Sequence, residues 1–392
     1  MTTSKNSELQ HQASVLDASV TAAFERGDYE EGLSALRSLS LLIPDDSGTI
    51  HRLGVVEEQI GDMRKAFEAH ARCLELAPDN PIAYLYAGYA HAQQGHTSEA
   101  LRLYSLGSDL EHLFLDPEPG DDPTSIRFRD ACKALRTHFS SLHRASVGPA
   151  ADCKRIHDAI WTRTHDSHYS LSEPGQVPQL FYIPSLKPAA FFDSTVWEWS
   201  SRLEAASADI CAEFTRASHV LENEGRPYLE GESLAGETFT KLLGSKNWTA
   251  LDLFRDGQPN RAVSEHFPQT LAALNTVPLY GLDETPFEVF FSVLKSQQHI
   301  KPHYGLSNHS LTLHLPLITP HPGELTVKGE SRDWRFGQLL AFDDTYLHEA
   351  QNQSEQDRVV LIFSIWHPEL SAAERSAIQR SFNARNAWLA AR

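Results

Sequence analysis

The sequence predicts a two-domain α+β chain: an N-terminal all-α helical repeat domain of tetratricopeptide type, then a double-sheet domain of jelly-roll, double-stranded β-helix (cupin-like) class. Two observations predict it: a 34-residue period in the first third, and short apolar runs broken by Pro and Gly from about residue 175. The length agrees, because 392 residues exceed what one core usually serves. At 41% hydrophobic and 22% charged residues, each half can bury an ordinary core.

The repeat comes first. Gly27, Gly61 and Gly95 stand 34 apart, Asp28 and Asp62 follow the first two, and Pro44 and Pro78 are again 34 apart. Thirty-four residues is the period of the tetratricopeptide helix-turn-helix unit. The middle copy offers Ile50, Leu53, Gly54, Ala66 and Cys73, and the third Tyr84, Ala87, Gly88, Ala100 and Gly107. These recur at the three-to-four spacing of amphipathic helices, so residues 13–110 read as about three repeats. Stacked helix pairs make a concave groove for a peptide or protein partner; capping of the second domain or a dimer contact is the plainer use. The text FLDPEPGDDPTS then breaks the period, and residues 111–174 read as a linker and bridging helices, among them RFRDACKALRTHFSSLHRA.

Residues 175–370 form the β-rich domain. Strands are expected over 287–294, 310–318, 323–329, 338–344 and 358–366, a spacing that suits a double-sheet barrel or jelly roll. In the second of these, Leu311, Leu313, Leu315 and Leu317 alternate with Ser310, Thr312 and His314, giving one core face and one polar face. Residues 371–392 have helical periodicity, with Ile378, Phe382 and Trp388 available for packing.

Composition narrows the partners. Thirty-four Lys and Arg against 52 Asp and Glu leave a charge of −18 with no basic stripe, which disfavours nucleic acid and anionic membrane. The first residues are polar without a signal-peptide run, and no window reaches the roughly 18 apolar residues of a membrane span. Four scattered cysteines without a CxxC pair argue against a zinc ribbon or disulfide framework, so a reducing cytoplasm is the expected location.

The residues that carry chemistry are His303, His348 and Arg358. The histidines stand 45 apart, before the 310–318 strand and after the 338–344 strand, as a sheet-built metal site requires. His299 and His303 do form an i, i+4 pair, but Pro302 between them lacks the N–H of a helix interior, which disfavours a helical zinc pair. Alone, two histidines at this distance are as readily structural.

The surrounding text sharpens the reading. EVFFSVLKSQQHIKPHYGLSNHSLTLHLPL and WRFGQLLAFDDTYLHEAQNQSEQDRVVLIFSIWHPEL resemble the catalytic domain of the aspartyl/asparaginyl β-hydroxylases, Fe(II)- and 2-oxoglutarate-dependent dioxygenases, over roughly residues 178–370. The elements that match are Pro-His-x-Gly, FDD-x-x-x-His-Glu, an Arg ten residues past that His, and a closing Trp-His-Pro-Glu-Leu. Family members also often carry tetratricopeptide repeats upstream.

The resemblance implies that His303 and His348 are the metal ligands. The carboxylate that usually completes such an iron site two residues after the first His is here Gly305, and the family shares that absence. Two imidazoles, two oxygens of 2-oxoglutarate, O2 and a water would fill six positions. Asp344 would orient that water; its plainer role is a turn cap. Arg358 suits the distal carboxylate of 2-oxoglutarate by residue type as well as position, since a guanidinium offers two parallel donors. Ser292, His314 and Trp248 also fall on family positions that contact this cosubstrate, their plainer readings being a sheet Ser, a polar-face His and a core Trp. Where many family members carry arginines on the polar face of the 310–318 strand, this chain has Ser310 and Thr312.

The expected function is therefore hydroxylation of the β-carbon of an aspartyl- or asparaginyl-type residue in a peptide or protein, with O2 consumed and succinate and CO2 released. No protein acid or base is needed beyond the metal centre. Two rivals stay open: the same chemistry on a free amino acid or natural-product intermediate, and a catalytically silent repeat scaffold.

Overall fold

The computed structural model describes residues 2–171, 173–230 and 242–392. The chain divides into two compact units, Met1–Ser141 with Trp388–Arg392, and Leu142–Ala387. The division falls inside the stretch 111–174 read as linker and bridging helices.

The first unit is helical. Helices α1 (Thr2–Glu25), α2 (Tyr29–Leu42), α3 (Ser47–Gln59), α4 (Met63–Leu76), α5 (Pro81–Gln93) and α6 (Thr97–Gly107) pack as the pairs α1/α2, α3/α4 and α5/α6, and α7 (Pro123–Val147) follows. The period has a backbone cause: Gly27, Gly61 and Gly95 turn each pair with φ of 75°, 87° and 77°, a region that only glycine enters at no steric cost. The aspartates after the first two cap the next helix, Asp28 accepting from the Glu31 N–H and Asp62 from that of Lys65. In the third copy His96 takes that place and makes no side-chain cap.

Close packing sets a second periodic feature. A Cβ on Gly54 would stand 2.5 Å from the His70 ring, and one on Gly88, 34 residues on, 2.5 Å from the Tyr104 ring. Glycine there lets the paired helices approach until the ring of one lies on the backbone of the other. Val20, Leu33, Leu36, Leu39 and Val56 form a core at the α1/α2 end. Phe114, after α6, is fully buried and meets Phe128 of α7 edge-on at 5.0 Å.

The second unit is sheet-rich. Its strands are β1 (Trp248–Arg255), β2 (Val289–Leu294), β3 (Gln298–His303), β4 (Ser310–Ile318), β5 (Gly323–Val327), β6 (Glu330–Asp333), β7 (Leu340–Phe342), β8 (His348–Asn352) and β9 (Arg358–Trp366), with shorter pairs around them. The larger sheet runs Phe191–Phe192, β7, β4, β9, β2, β1, Arg226–Pro227, and the smaller one β6, β5, β8, β3. Neighbours within both sheets are antiparallel.

Two cores flank the larger sheet. On one face Leu311, Leu313, Leu315 and Leu317 of β4 pack with Leu361 and Phe363 of β9 and with Ile210 and Phe214 of the helix Ser207–Arg216. On the other, Leu294, Phe342 and Val360 of the larger sheet meet Ile300, Leu325, Val327 and Ala350 of the smaller. The strands expected over 310–318 and 358–366 are β4 and β9 themselves. Those expected over 287–294, 323–329 and 338–344 are shorter, as β2, β5 and β7.

His303 and His348 stand on different strands, before β4 and after β7: His303 closes β3 and His348 opens β8, two strands that were not among those expected. QHIKPH and HEAQN lack the apolar alternation that signals a strand, because they bury few side chains and are held by ladder hydrogen bonds to neighbours. At the C-terminus the helix Ala372–Ala390 covers its own domain through Ile378 and Phe382, which join Trp161, Phe181 and Trp366 in one cluster.

Candidate functional site

His348 opens β8 and points to the same side as Ala350, two residues on, which sits in the core between the sheets. His303 is its antiparallel register partner, but the next match pairs Ala350 with Ile300, so three residues of β3 oppose two of β8. That extra residue is a bulge, and it turns His303 to the same face as Ile300. The imidazole centroids stand 4.0 Å apart.

Each ring is fixed by its own backbone. His303 Nδ1 lies 2.8 Å from the Lys301 carbonyl and His348 Nδ1 3.0 Å from that of Tyr346. An Nδ1–H donated to a carbonyl leaves the lone pair on Nε2, the tautomer a metal ligand needs. Burial, with the neighbouring His348, holds His303 down to about 4, and burial lowers His348 too, so both rings are neutral near pH 7. Two neutral imidazoles on facing strands fit a divalent transition ion of the iron and zinc kind. Among the described residues no group of three or more His, Cys, Asp or Glu forms a metal site.

Asp344 packs beside Gly305, two residues after His303. Its main-chain carbonyl accepts from the Gly305 N–H at 2.6 Å, and a Cβ on Gly305 would stand 2.1 Å from Asp344 Oδ1. The carboxylate therefore fills the space a side chain at position 305 would need, and Gly305 is a steric requirement as well as a missing ligand. Thr312 Oγ1 donates to Asp344 Oδ2 at 2.9 Å. Burial still pushes this carboxyl up to about 6.

The deeper wall belongs to β1, β2, β4 and β9. Arg358, opening β9, is 1% exposed, and no carboxylate pairs with it among the described residues. Its Nη1 is 3.5 Å from Ser292 Oγ, its Nε has no hydrogen-bond partner among the described residues, and its guanidinium lies over the Trp334 ring at 4.6 Å. A buried, unpaired guanidinium is costly, and burial brings Arg358 down to about 9. Its chemistry fits an incoming carboxylate. Trp248 Nε1 donates to Ser292 Oγ at 3.0 Å, while Trp248 itself stacks on Tyr228 at 4.2 Å. His314, 5% exposed, accepts at Nδ1 from Trp334 Nε1 at 3.2 Å.

The structure thus gathers the predicted residues into two groups: His303, His348 and Asp344 at one end, Arg358, Ser292, Trp248 and His314 at the other. One participant was not singled out from sequence, and another was noted there in a different role. Trp334 stacks on Arg358 and holds His314, and the signal for it was its place in the WRFG text already noted. Thr312, read there as an absent arginine, is the hydroxyl that anchors Asp344.

The model of the aspartyl/asparaginyl β-hydroxylase family matches residues 205–368. The aspartyl/asparaginyl β-hydroxylase of Mus musculus is 24% identical over 360 residues, covering 90% of this chain and 44% of that protein. The human protein of that name is 23% identical over 360 residues, covering 90% and 42%. An ornithine lipid ester-linked acyl 2-hydroxylase of Rhizobium tropici is 29% identical over 185 residues, covering 46% of this chain and 62% of that protein. The chain spans less than half the length of the mouse and human proteins.

Proposed function

Through residues 205–368 the chain belongs to the aspartyl/asparaginyl β-hydroxylase family, and on that premise we propose that it is an Fe(II)- and 2-oxoglutarate-dependent dioxygenase hydroxylating the β-carbon of an aspartyl- or asparaginyl-type residue in a peptide or protein. The observation that carries the reading is Arg358, a buried guanidinium without a carboxylate partner among the described residues, in the same sheet-rich unit as the paired imidazoles. We read the two facing sheets as a jelly roll with this site between them.

His303 and His348 would hold the iron through Nε2, with their rings kept in place by the Lys301 and Tyr346 carbonyls. When bound, Fe(II) and 2-oxoglutarate supply O2 activation, with oxidative decarboxylation to succinate and CO2 and transfer of one oxygen to a C–H bond. Arg358 and Ser292 would take the distal carboxylate of 2-oxoglutarate. Trp248 fixes Ser292 and Trp334 supports the guanidinium, so the clamp needs little rearrangement on binding. Asp344, held by Thr312 and packed against Gly305, is an acceptor four residues before His348 and would orient water at the metal. The helical unit offers a surface for a peptide or protein partner.

The test is succinate formed from 2-oxoglutarate by the full chain with Fe(II) and O2. His303→Ala and Arg358→Ala are expected to abolish it, and unchanged turnover in either sinks that assignment. Mass spectrometry for a gain of one oxygen then separates peptide from small-molecule substrates, the second reading that Ser310 and Thr312 favour.

A further inference from the structure

We propose that residues 176–183 act as a strap that sets the separation of His303 and His348, and that Gln176 is a positioning residue for this metal pair. The inference rests on the metal-site reading above.

The pairing between β3 and β8 ends at these histidines. His303 closes β3 and His348 opens β8, so they are the last register pair, and the next match, Ala350 with Ile300, lies across the bulge. His348 has Val327 of β5 on its other side, whereas β3 is the edge strand of the smaller sheet. The end of an edge strand frays unless something ties it down. A metal pair tolerates little fraying, because its ligands must hold within about 0.5 Å of one geometry.

Residues 176–183 cross that end. Gln176 bridges antiparallel to Tyr346, and Phe181 parallel to Ser307. On the His348 side the Val177 N–H donates to the Thr345 carbonyl at 2.7 Å. On the His303 side the Gln179 N–H donates to the Gly305 carbonyl at 3.1 Å, and the Leu180 N–H to that of Leu306 at 2.8 Å. The buried Asn308 side chain clasps the far end, accepting from the Ile183 N–H at 2.9 Å and donating to the Ile183 carbonyl at 3.0 Å. Because the Gly305 N–H is itself bonded to the Asp344 carbonyl, the three segments close a ring of main-chain hydrogen bonds next to the histidines in sequence.

Gln176 adds a side-chain link. It is 2% exposed, and its Nε2 donates to Asp343 Oδ2 at 2.6 Å. Asp343 Oδ1 accepts from the N–H and the hydroxyl of Thr345, and the Asp343 carbonyl accepts from the Tyr346 N–H. The Tyr346 carbonyl in turn fixes His348 at Nδ1. One buried amide is thus joined to the imidazole through a single turn of chain. Without it, a buried carboxylate oxygen loses its donor, and the turn that carries the Tyr346 carbonyl loses its anchor. Gln176 stands outside residues 205–368, the part of the chain matched to the family.

The experiment titrates the full chain with Co(II), whose visible bands report ligand geometry, and a His303→Ala chain sets the background. Gln176→Leu removes the amide, and Gln179→Pro removes one strap N–H at an exposed position. Each is expected to weaken Co(II) binding at least about tenfold, as loss of a group supporting a ligand does, and to shift the bands while circular dichroism shows the chain folded. Ile210→Val, which loosens the core on the far face of the larger sheet, is expected to leave affinity and bands unchanged. Either folded strap variant binding Co(II) with wild-type affinity and bands overturns the inference and leaves the metal-site reading standing. So does an Ile210→Val chain weakened as much as the strap variants, since the loss would then follow stability alone. Gln179→Pro decides by itself if Gln176→Leu does not fold. Wild-type chain that binds Co(II) no better than His303→Ala removes the metal-site reading, and the inference with it.

Discussion

The helical unit and the sheet unit solve the same packing problem over different lengths of chain. In the helical unit the defining contacts are short: Gly54 with His70 and Gly88 with Tyr104, each 16 residues apart, and each repeated by the 34-residue period. In the sheet unit the defining contacts join Trp248 to Ser292, His303 to His348, and Ser292 to Arg358, which are 44, 45 and 66 residues apart. The difference teaches where function can be built. A repeat copies one local solution, whereas strands from distant parts of the chain set unlike side chains against each other, as a metal pair and an anion clamp require.

The sharpest way to break this contrast is at the clamp. Arg358→Ala removes the buried cation beside Ser292. Loss of a buried charge partner costs roughly 2–5 kcal/mol, about 30-fold to several-thousand-fold in affinity for 2-oxoglutarate. Binding measured by calorimetry on the Fe(II)-loaded chain checks it, with circular dichroism to establish that the fold survives. An affinity within threefold of wild type would show that the guanidinium serves packing alone.

The next test lies in the other unit. Gly88→Val puts a side chain where a Cβ already meets the Tyr104 ring at 2.5 Å. Overpacking of this kind costs about 1–3 kcal/mol, and the helical unit should melt earlier while Fe(II) affinity in the sheet unit stays unchanged. Equal loss in both units would join what the contact pattern separates.

A third prediction concerns acid. His309 is fully buried inside a ring of Phe181, Tyr280, Trp366 and Phe382, and burial, with His367 nearby, holds it down to about 3; burial likewise holds His143 down to about 4. The folded values lie below the unfolded one of about 6.5, so in that window the unfolded chain binds more protons. Stability is therefore complete above about pH 6.5 and falls as the pH drops toward the folded values, by up to about 1.4 kcal/mol per pH unit for each such histidine. Denaturant melts between pH 7 and 4 should show this slope, and His309→Asn should reduce it.

The smallest effect is expected at a helix cap. Asn80 accepts from the Ile82 N–H at 3.0 Å at the start of α5. Asn80→Ala should cost about 1 kcal/mol and lower the melting temperature of the helical unit by a few degrees, with no change in turnover.

Much of this was legible because its causes are local. The turn glycines, the capping aspartates and the alternation of Leu311, Leu313, Leu315 and Leu317 each leave a mark on adjacent residues. β3 and β8 leave none: Pro302 and a run of polar residues lack the apolar alternation of a strand, although these strands carry both histidines. Trp334 was hidden for a related reason, since its partners Arg358 and His314 stand 24 and 20 residues away on other strands.

The sequence by itself determined the repeat, its turns, the central strands β4 and β9, and the residue types from which the proposed site is built. Only the tertiary structure decided that a bulge turns His303 toward His348, that Asp344 fills the space a side chain at Gly305 would need, and that Thr312 holds that carboxylate. The physical reason is that propensity and period act over a few residues. The direction of a side chain at a strand end, and the charge balance around it, are instead set by the neighbours that long-range pairing brings alongside.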